Sequence, residues 1–254
     1  PVAMGYIVGP PKSGKTTFCE GLAFSMAAGA ESYLGHSLHL DKRKVILFSL
    51  EEFWRNRLQR NQKQIQRLIP PHGKAWLNQN VLTVDETFPR NLLTQEDWAL
   101  LTQQIELHRP SVGFIDSLSR LYSGSIEDTR VAQSLTRQLR QLVQDYQILL
   151  ILIHHTPKQL GRPLTIDSIA GSRILAQEAD FAIGISKSPS GQRYLKPIFY
   201  RYAPEPEEVQ LLQFSNDLWL EATGTASETE LLVLEDQTPS PDVPEELLDF
   251  IEEY

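Results

Sequence analysis

The chain has a single cysteine, Cys19, in 254 residues. That excludes an intrachain disulfide framework and any cysteine-rich zinc site. A reducing cytosol, and so a cytoplasmic location, is the expected compartment. No apolar run approaches the roughly 20 residues that span a bilayer, and no secretory signal pattern is present, so no membrane partner is expected. Internal repeats are absent. Basic residues are missing from one end altogether: Ala222 to Tyr254 holds ten acidic side chains and no Lys or Arg. The formal net charge of −8 is therefore an uneven average, and the first 221 residues come to about +2. A near-neutral body neither demands nor forbids a nucleic-acid partner. Pro1 stands almost directly on the first strand, which leads us to expect a preceding segment, such as a partner- or DNA-binding module, in the parent protein.

Against these absences one stretch stands out. Gly9-Pro10-Pro11-Lys12-Ser13-Gly14-Lys15-Thr16 fits G-x-x-x-x-G-K-[ST], the spelling of a loop whose backbone N–H groups curl around a polyphosphate. Met4–Val8 before it reads as a buried strand, and Thr17–Ala27 after it as a helix stopped by Gly29. The helix brings its positive end to the same anion. In this pattern Lys15 reaches the β- and γ-phosphates, Thr16 holds Mg²⁺, and Thr17 lies beside them in the first turn. Gly9 to Thr17 is accordingly the expected ATP-binding segment. Cys19, three residues past Thr16, reads as a buried structural thiol.

An apolar fraction of 41% supports one substantial α/β core. Val45–Leu50, Val112–Asp116 and Ile148–Ile153 are short apolar runs of the kind that central parallel strands show, and Val81–Val84 is a weaker one. Between them, Phe53–Ile69 reads as a basic helix with Phe53, Trp54, Leu58, Ile65 and Leu68 supplying its apolar side, stopped by Pro70-Pro71-His72-Gly73. Thr94-Gln95-Glu96-Asp97 opens a helix in capping-box style, with Trp98, Leu101 and Ile105 on one face. Val131, Leu135, Leu139, Leu142 and Tyr146 mark another helix. Phe181–Ile185, Tyr194–Tyr200 and Val209–Phe214 read as later strands, the last two antiparallel. The expected architecture is three layers, α/β/α, around a mainly parallel sheet, with antiparallel strands at the C-terminal end. Residues 1–221 form the expected domain. Residues 222–254 are expected to be an acidic flexible tail, with a short amphipathic helix over 244–254 that docks on a partner or stays solvated.

Ligands of such sheets gather at the carboxyl ends of the strands. Glu51 and Glu52 follow the second strand, Asp116 and Ser117 the fourth, and His154 and His155 the fifth. Asp116, ending an apolar run, suits the Mg²⁺-holding acid of a P-loop site. Glu51 is the expected base that orients the attacking water, with Glu52 its competitor by one register step. His154 is the expected γ-phosphate sensor. A His-His pair without a third ligand nearby is not a zinc pattern.

Taken in order, Gly9–Thr16, Ser49-Leu50-Glu51-Glu52, Ile115-Asp116-Ser117-Leu118-Ser119-Arg120 and His154-His155-Thr156-Pro157-Lys158 resemble the RecA-like P-loop ATPases. The resemblance is strongest to the branch that holds RepA-type hexameric helicases, also grouped with AAA-family ATPases, and it runs over about residues 4–215. It implies an ATP site completed by a neighbouring subunit of a homo-oligomeric ring or filament. It assigns Glu51 as catalytic base and Asp116 as the metal acid, with His154-His155 at the sensor position. It also suggests Arg201 and Lys196, on late strands, as cations reaching a neighbour's γ-phosphate, and Lys158 and Arg162 as DNA-facing. The family's Arg-Gly-Ser segment is not reproduced: Ala170-Gly171-Ser172-Arg173 stands there. The leading expectation is an Mg²⁺-dependent ATPase, with motion on single-stranded DNA as its output. The alternative is a nucleotide-gated switch acting on a protein partner, reached through the acidic tail. A small-molecule kinase is a third class, disfavoured by the lack of an Arg-rich lid.

Overall fold

The computed structural model describes residues 2–38, 44–68, 74–157, 161–169 and 173–233. In chain order its elements begin with β1 (Ala3–Gly9), α1 (Lys15–Ala28) and a small hairpin of β2 (Ser32–Tyr33) and β3 (His36–Ser37). They continue with β4 (Val45–Ser49), α2 (Trp54–Gln66), α3 (Lys74–Asn80), β5 (Val81–Thr83), α4 (Gln95–His108) and β6 (Val112–Asp116). The rest are α5 (Thr129–Tyr146), β7 (Leu149–His155), α6 (Arg173–Glu178), β8 (Phe181–Lys187), β9 (Arg193–Tyr200), β10 (Val209–Phe214), β11 (Leu220–Ala226) and α7 (Glu228–Leu232).

Nine strands form one sheet in the order β11-β10-β9-β8-β1-β7-β6-β4-β5. From β5 to β8 all neighbours are parallel, and β9, β10 and β11 continue antiparallel. β1 lies between β7 and β8, so the loop that leaves it opens in the middle of the sheet's carboxyl edge.

Strand alternation divides the core. Met4, Tyr6 and Val8 of β1, Ile46 and Phe48 of β4, Ile115 of β6, and Leu150 and Leu152 of β7 pack with Trp98, Leu101 and Ile105 of α4 and Leu135, Leu139 and Leu142 of α5. The other face carries Ile7, Val45, Leu47, Val112, Phe114, Ile151 and Ile153 against Phe18, Cys19, Ala23 and Phe24 of α1. The result is three layers. Thr94 caps α4 as its sequence suggests: its side chain accepts from Asp97 N–H, and the Asp97 carboxylate accepts from Thr94 N–H.

Two expectations need correction. The tail does not begin at Ala222, because Leu220–Ala226 is a strand paired along β10 and α7 follows it. This is an edge strand with Thr, Gly and Ala facing outward, so its sequence carries little apolar alternation, while its backbone bonds to β10 hold it. Helix α2 packs Ile65, and Leu68 just past its end, against the α1-side core, as its apolar residues suggest, but its earlier turns do not follow that pattern. Arg57, Asn61 and Gln64 are buried, whereas Phe53 and Leu58 are 51% and 46% exposed. The buried polar groups are matched: Arg57 donates to Val84 O, Asn61 Nδ2 to Gln64 Oε1 and Gln64 Nε2 to Leu218 O. Two loop carbonyls, Val84 O after β5 and Leu218 O between β10 and β11, are served by polar side chains of the helix. Pro70–Gly73, Lys158, Ala170–Ser172 and the 244–254 segment lie outside the described residues. Among the described residues, no helix is long and apolar enough to cross a membrane.

Candidate nucleotide site

The loop between β1 and α1 has the shape its glycines predict. Gly9 sits at φ +153°, and a Cβ there would stand 2.0 Å from Ile185 O of β8. Gly14 caps α1 at φ +107° with no side chain to occupy the first N–H groups of the helix, so the positive helix end stays open to an anion. Ser13 is buried and its Oγ has no hydrogen-bond partner within the described residues. Lys15 is 4% exposed, and its Nζ donates to Gly9 O and Pro10 O at 2.9 and 2.8 Å. Burial lowers Lys15 to about 8, against the pull of Asp116 and Glu51. Pro11 and Lys12 form the exposed outer turn, with Lys12 at φ 64°. Pro10, Thr16 and Thr17 are half-buried. An orphaned buried hydroxyl, a helix end free of side chains and an inward lysine together fit a polyphosphate.

A metal's share of the site rests on α1 and β6. Thr16 Oγ1 donates to Asp116 Oδ2 at 2.6 Å, while Asp116 Oδ1 is buried with no partner among the described residues. Burial raises Asp116 to about 6 in spite of the Thr16 bond. A carboxylate oxygen left without a donor beside a threonine hydroxyl fits a hard divalent cation such as Mg²⁺.

Across from them stands Glu51. Its Oε1 accepts from Ser117 Oγ and, at 3.2 Å, from Ser119 Oγ, and its Oε2 lies 3.1 Å from His155 Nε2. The His155 hydrogen bond, helped by the two serines, overcomes burial and lowers Glu51 to about 2. Glu51, Asp116 and His155 each bring a ligand atom within 4.8 Å of the others. Parity explains the convergence. Glu51 shares the alternation of Val45 and Leu47, Asp116 that of Val112 and Phe114, and His155 that of Ile151 and Ile153, all on the α1 face.

The competitors take other partners. Glu52 turns to Arg60, which also grips Glu20 of α1. The imidazole hydrogen-bonded to Glu51 belongs to His155. His154, named from sequence, follows Leu150 and Leu152 toward the other face and is 5% exposed. Alternation along β7 was the signal that distinguishes the two. Arg201 is not at this edge. It follows β9, whose Tyr200 pairs with Phe181 at the start of β8, and it binds Ala179 O, Gln177 O and Asp180. Antiparallel pairing carries the end of β9 away from the phosphate loop. Lys196 is engaged by Leu164 O and Glu228. Arg162 and Arg173 are exposed. Two groups escaped the sequence reading: Ser119, and Arg193, whose Nε donates to Ser13 O at 2.5 Å.

Comparison with known proteins agrees with this geometry. A family described as an AAA domain matches residues 3–161. No curated protein matches the chain. Many solved structures do. One is the ATPase domain of another protein, at TM-score 0.59 and 18% identity, over 85% of this chain and 82% of that one. At that identity the likeness is one of fold.

Proposed function

This chain belongs to the AAA domain family and has the RecA-like P-loop fold, and from that premise we propose that it binds Mg-ATP and hydrolyses it to ADP and inorganic phosphate. The observation that carries the reading is the meeting of Lys15, the Thr16–Asp116 pair and the Glu51–His155 pair at one carboxyl edge. Lys15 and the N–H groups opening α1 hold the phosphate chain. Mg²⁺, held by Thr16 and Asp116, would supply positive charge against the β- and γ-oxygens. Glu51 faces the same space as an ionised carboxylate. It accepts a hydrogen bond from water and aims the oxygen's lone pair at the γ-phosphorus. The new oxygen–phosphorus bond forms as the bond to the β-phosphate oxygen breaks. His155, Ser117 and Ser119 fix the direction of Glu51. A carboxylate lowered to about 2 is a weak base, so its contribution is orientation, and the water's proton leaves with the phosphate product.

The motif order that resembles hexameric helicases supports a homo-oligomer in which a neighbour completes each site. It also supports output as translocation on single-stranded DNA. In this proposal the ATPase unit is the folded body through α7, and the acidic residues after it dock a protein partner. The test is steady-state ATPase activity with and without single-stranded DNA, beside light scattering with and without ATP. Stimulation that falls steeply with salt and ATP-dependent assembly are expected. Unchanged hydrolysis in Lys15→Ala would overturn the ATPase assignment. Hydrolysis indifferent to DNA at low salt would replace the motor with a nucleotide-gated switch.

A further inference from the structure

The C-terminal antiparallel strands contribute one residue that the reading above leaves unused. Arg193 opens β9, directly opposite Lys187 at the end of β8 and beside Leu212 of β10. That end of β8 is the carboxyl edge from which the phosphate loop also opens. Arg193 Nε donates to Ser13 O, and the guanidinium lies over the Phe214 ring at 4.3 Å. A Cβ placed on Gly14 would meet Arg193 Nε at 3.3 Å and Phe214 at 3.4 Å. The cation therefore sits against the N-cap of α1, where a bound anion would be.

Its backbone is held firmly. Gln192 donates from Nε2 to Arg193 O and to Leu212 O, and from its N–H to Ser188 Oγ. The turn is closed by Ser188 N–H to Gln192 O and Gly191 N–H to Ser188 O. Its charge is met by the Ser13 carbonyl and the Phe214 ring but, among the described residues, by no carboxylate. Among the described residues Arg193 forms no ion pair, unlike Arg60, Arg67, Arg140 and Arg201. Burial alone lowers its pKa. A half-buried arginine that has no carboxylate beside it gains when an anion arrives there.

We infer that Arg193 is a phosphate-binding residue supplied in cis: its guanidinium, seated on Phe214 and aimed across Gly14, binds the phosphate chain of the nucleotide held by the same subunit's loop. This rests on the ATP-binding reading above and adds a ligand to it. Arginine suits the task because its planar fork serves a phosphate oxygen through Nη while Nε keeps its bond to Ser13 O. Lys15 shows a parallel arrangement, since it too donates to carbonyls of the loop. The site then has two cations from one chain, one from the loop and one from the late strands.

The experiment is calorimetric titration of the full chain with Mg-ATP, Mg-ADP and Mg-GTP. It compares wild type with Arg193→Gln, Arg193→Lys and Arg193→Ala, each checked by thermal melting. Gln keeps a donor for Ser13 O but carries no charge. About 10- to 100-fold weaker ATP and ADP binding is expected in Arg193→Gln, with partial recovery in Arg193→Lys and an unchanged melting temperature. Unchanged affinity in Arg193→Gln overturns the inference while wild-type binding leaves the ATPase reading intact. No nucleotide binding by wild type overturns that reading itself. A change confined to the ATP-over-GTP preference assigns Arg193 to the base and overturns a phosphate role. Recovery of activity on mixing Arg193→Ala with Lys15→Ala subunits shows action in trans and overturns a cis role.

Discussion

Replacing Arg60 by Ala removes one cation from between two carboxylates. Arg60 Nε and Nη2 donate to the two oxygens of Glu20 at 2.8 and 2.7 Å, and Nη1 donates to Glu52 Oε1 at 2.6 Å. The Glu20 side chain is 2% exposed and that of Arg60 18%, so water does little to screen the charges. Both carboxylates hold Arg60 well above its ordinary pKa. Without it, Glu20 stays in the core beside the partly exposed Glu52, with Arg57 the remaining cation near both. Breaking a buried pair of this kind costs about 3–5 kcal/mol. For a chain of this size that lowers the melting temperature by about 6–20 °C. Urea titration with linear extrapolation reads the loss directly. The triple variant Glu20→Gln, Arg60→Met, Glu52→Gln removes all three charges together and is expected to regain most of the stability, since an apolar or neutral replacement of a buried ion cluster is often neutral. A loss below about 1 kcal/mol in Arg60→Ala, the range of exposed pairs, would refute the reasoning. The clasp joins α2 to α1 and reaches Glu52, next to Glu51, so hydrolysis well below the melting point is expected to fall as well.

Three further outcomes follow from the site. Glu51→Gln is expected to lower kcat about 10²-fold through lost orientation of the water, with ATP affinity nearly unchanged, checked by steady-state kinetics beside calorimetry. Asp116 has a folded pKa of about 6, raised by burial; the folded protein therefore holds this proton more tightly than the unfolded chain, and the stability contribution present at acid pH is lost as pH rises through about 6. Asp116→Asn is thus expected to melt higher than wild type at pH 7.5 without added metal or nucleotide, and to lose Mg²⁺-dependent hydrolysis; an equal or lower melting point at pH 7.5 would contradict it. Gly9→Ala forces a methyl to within 2.0 Å of Ile185 O at φ +153°, so it is expected to abolish ATP binding or folding, as read by calorimetry and circular dichroism.

Much of this arrangement is legible in the sequence, for physical reasons. Buried parallel strands leave apolar runs, and a phosphate loop needs glycine where a Cβ would strike a neighbouring strand. Those features located β1, β4, β6, β7 and the residues at their ends. The choice between His154 and His155 was also written in the alternation of Ile148–Ile153, which places one imidazole on each face. Other features depend on partners far away in the chain. Arg201 and Arg193 are both cations of late strands, and only the antiparallel return of β9 puts Arg193 at the phosphate loop and Arg201 at the opposite edge. The polar inward face of α2 depends on carbonyls such as Val84 O and Leu218 O, which no periodicity in α2 can reveal. β11 is held by backbone bonds to β10 more than by apolar side chains, so composition marked it as tail.

The placement of β1 has a consequence for synthesis. This strand leaves the ribosome well before the strands it pairs with: Ala3 pairs with Leu149 and Gly5 with Phe181. Its Met4 N–H bonds to Asp180, and the carbonyl that shuts out a Cβ at Gly9 belongs to Ile185. Contacts so distant in sequence form slowly because the intervening chain must first be ordered. The phosphate loop is thus translated early and assembled late. Until β8 emerges, the nascent chain carries its nucleotide motif as an unsupported segment, and a ribosome stalled before residue 187 would hold a complete P-loop sequence with no site around it.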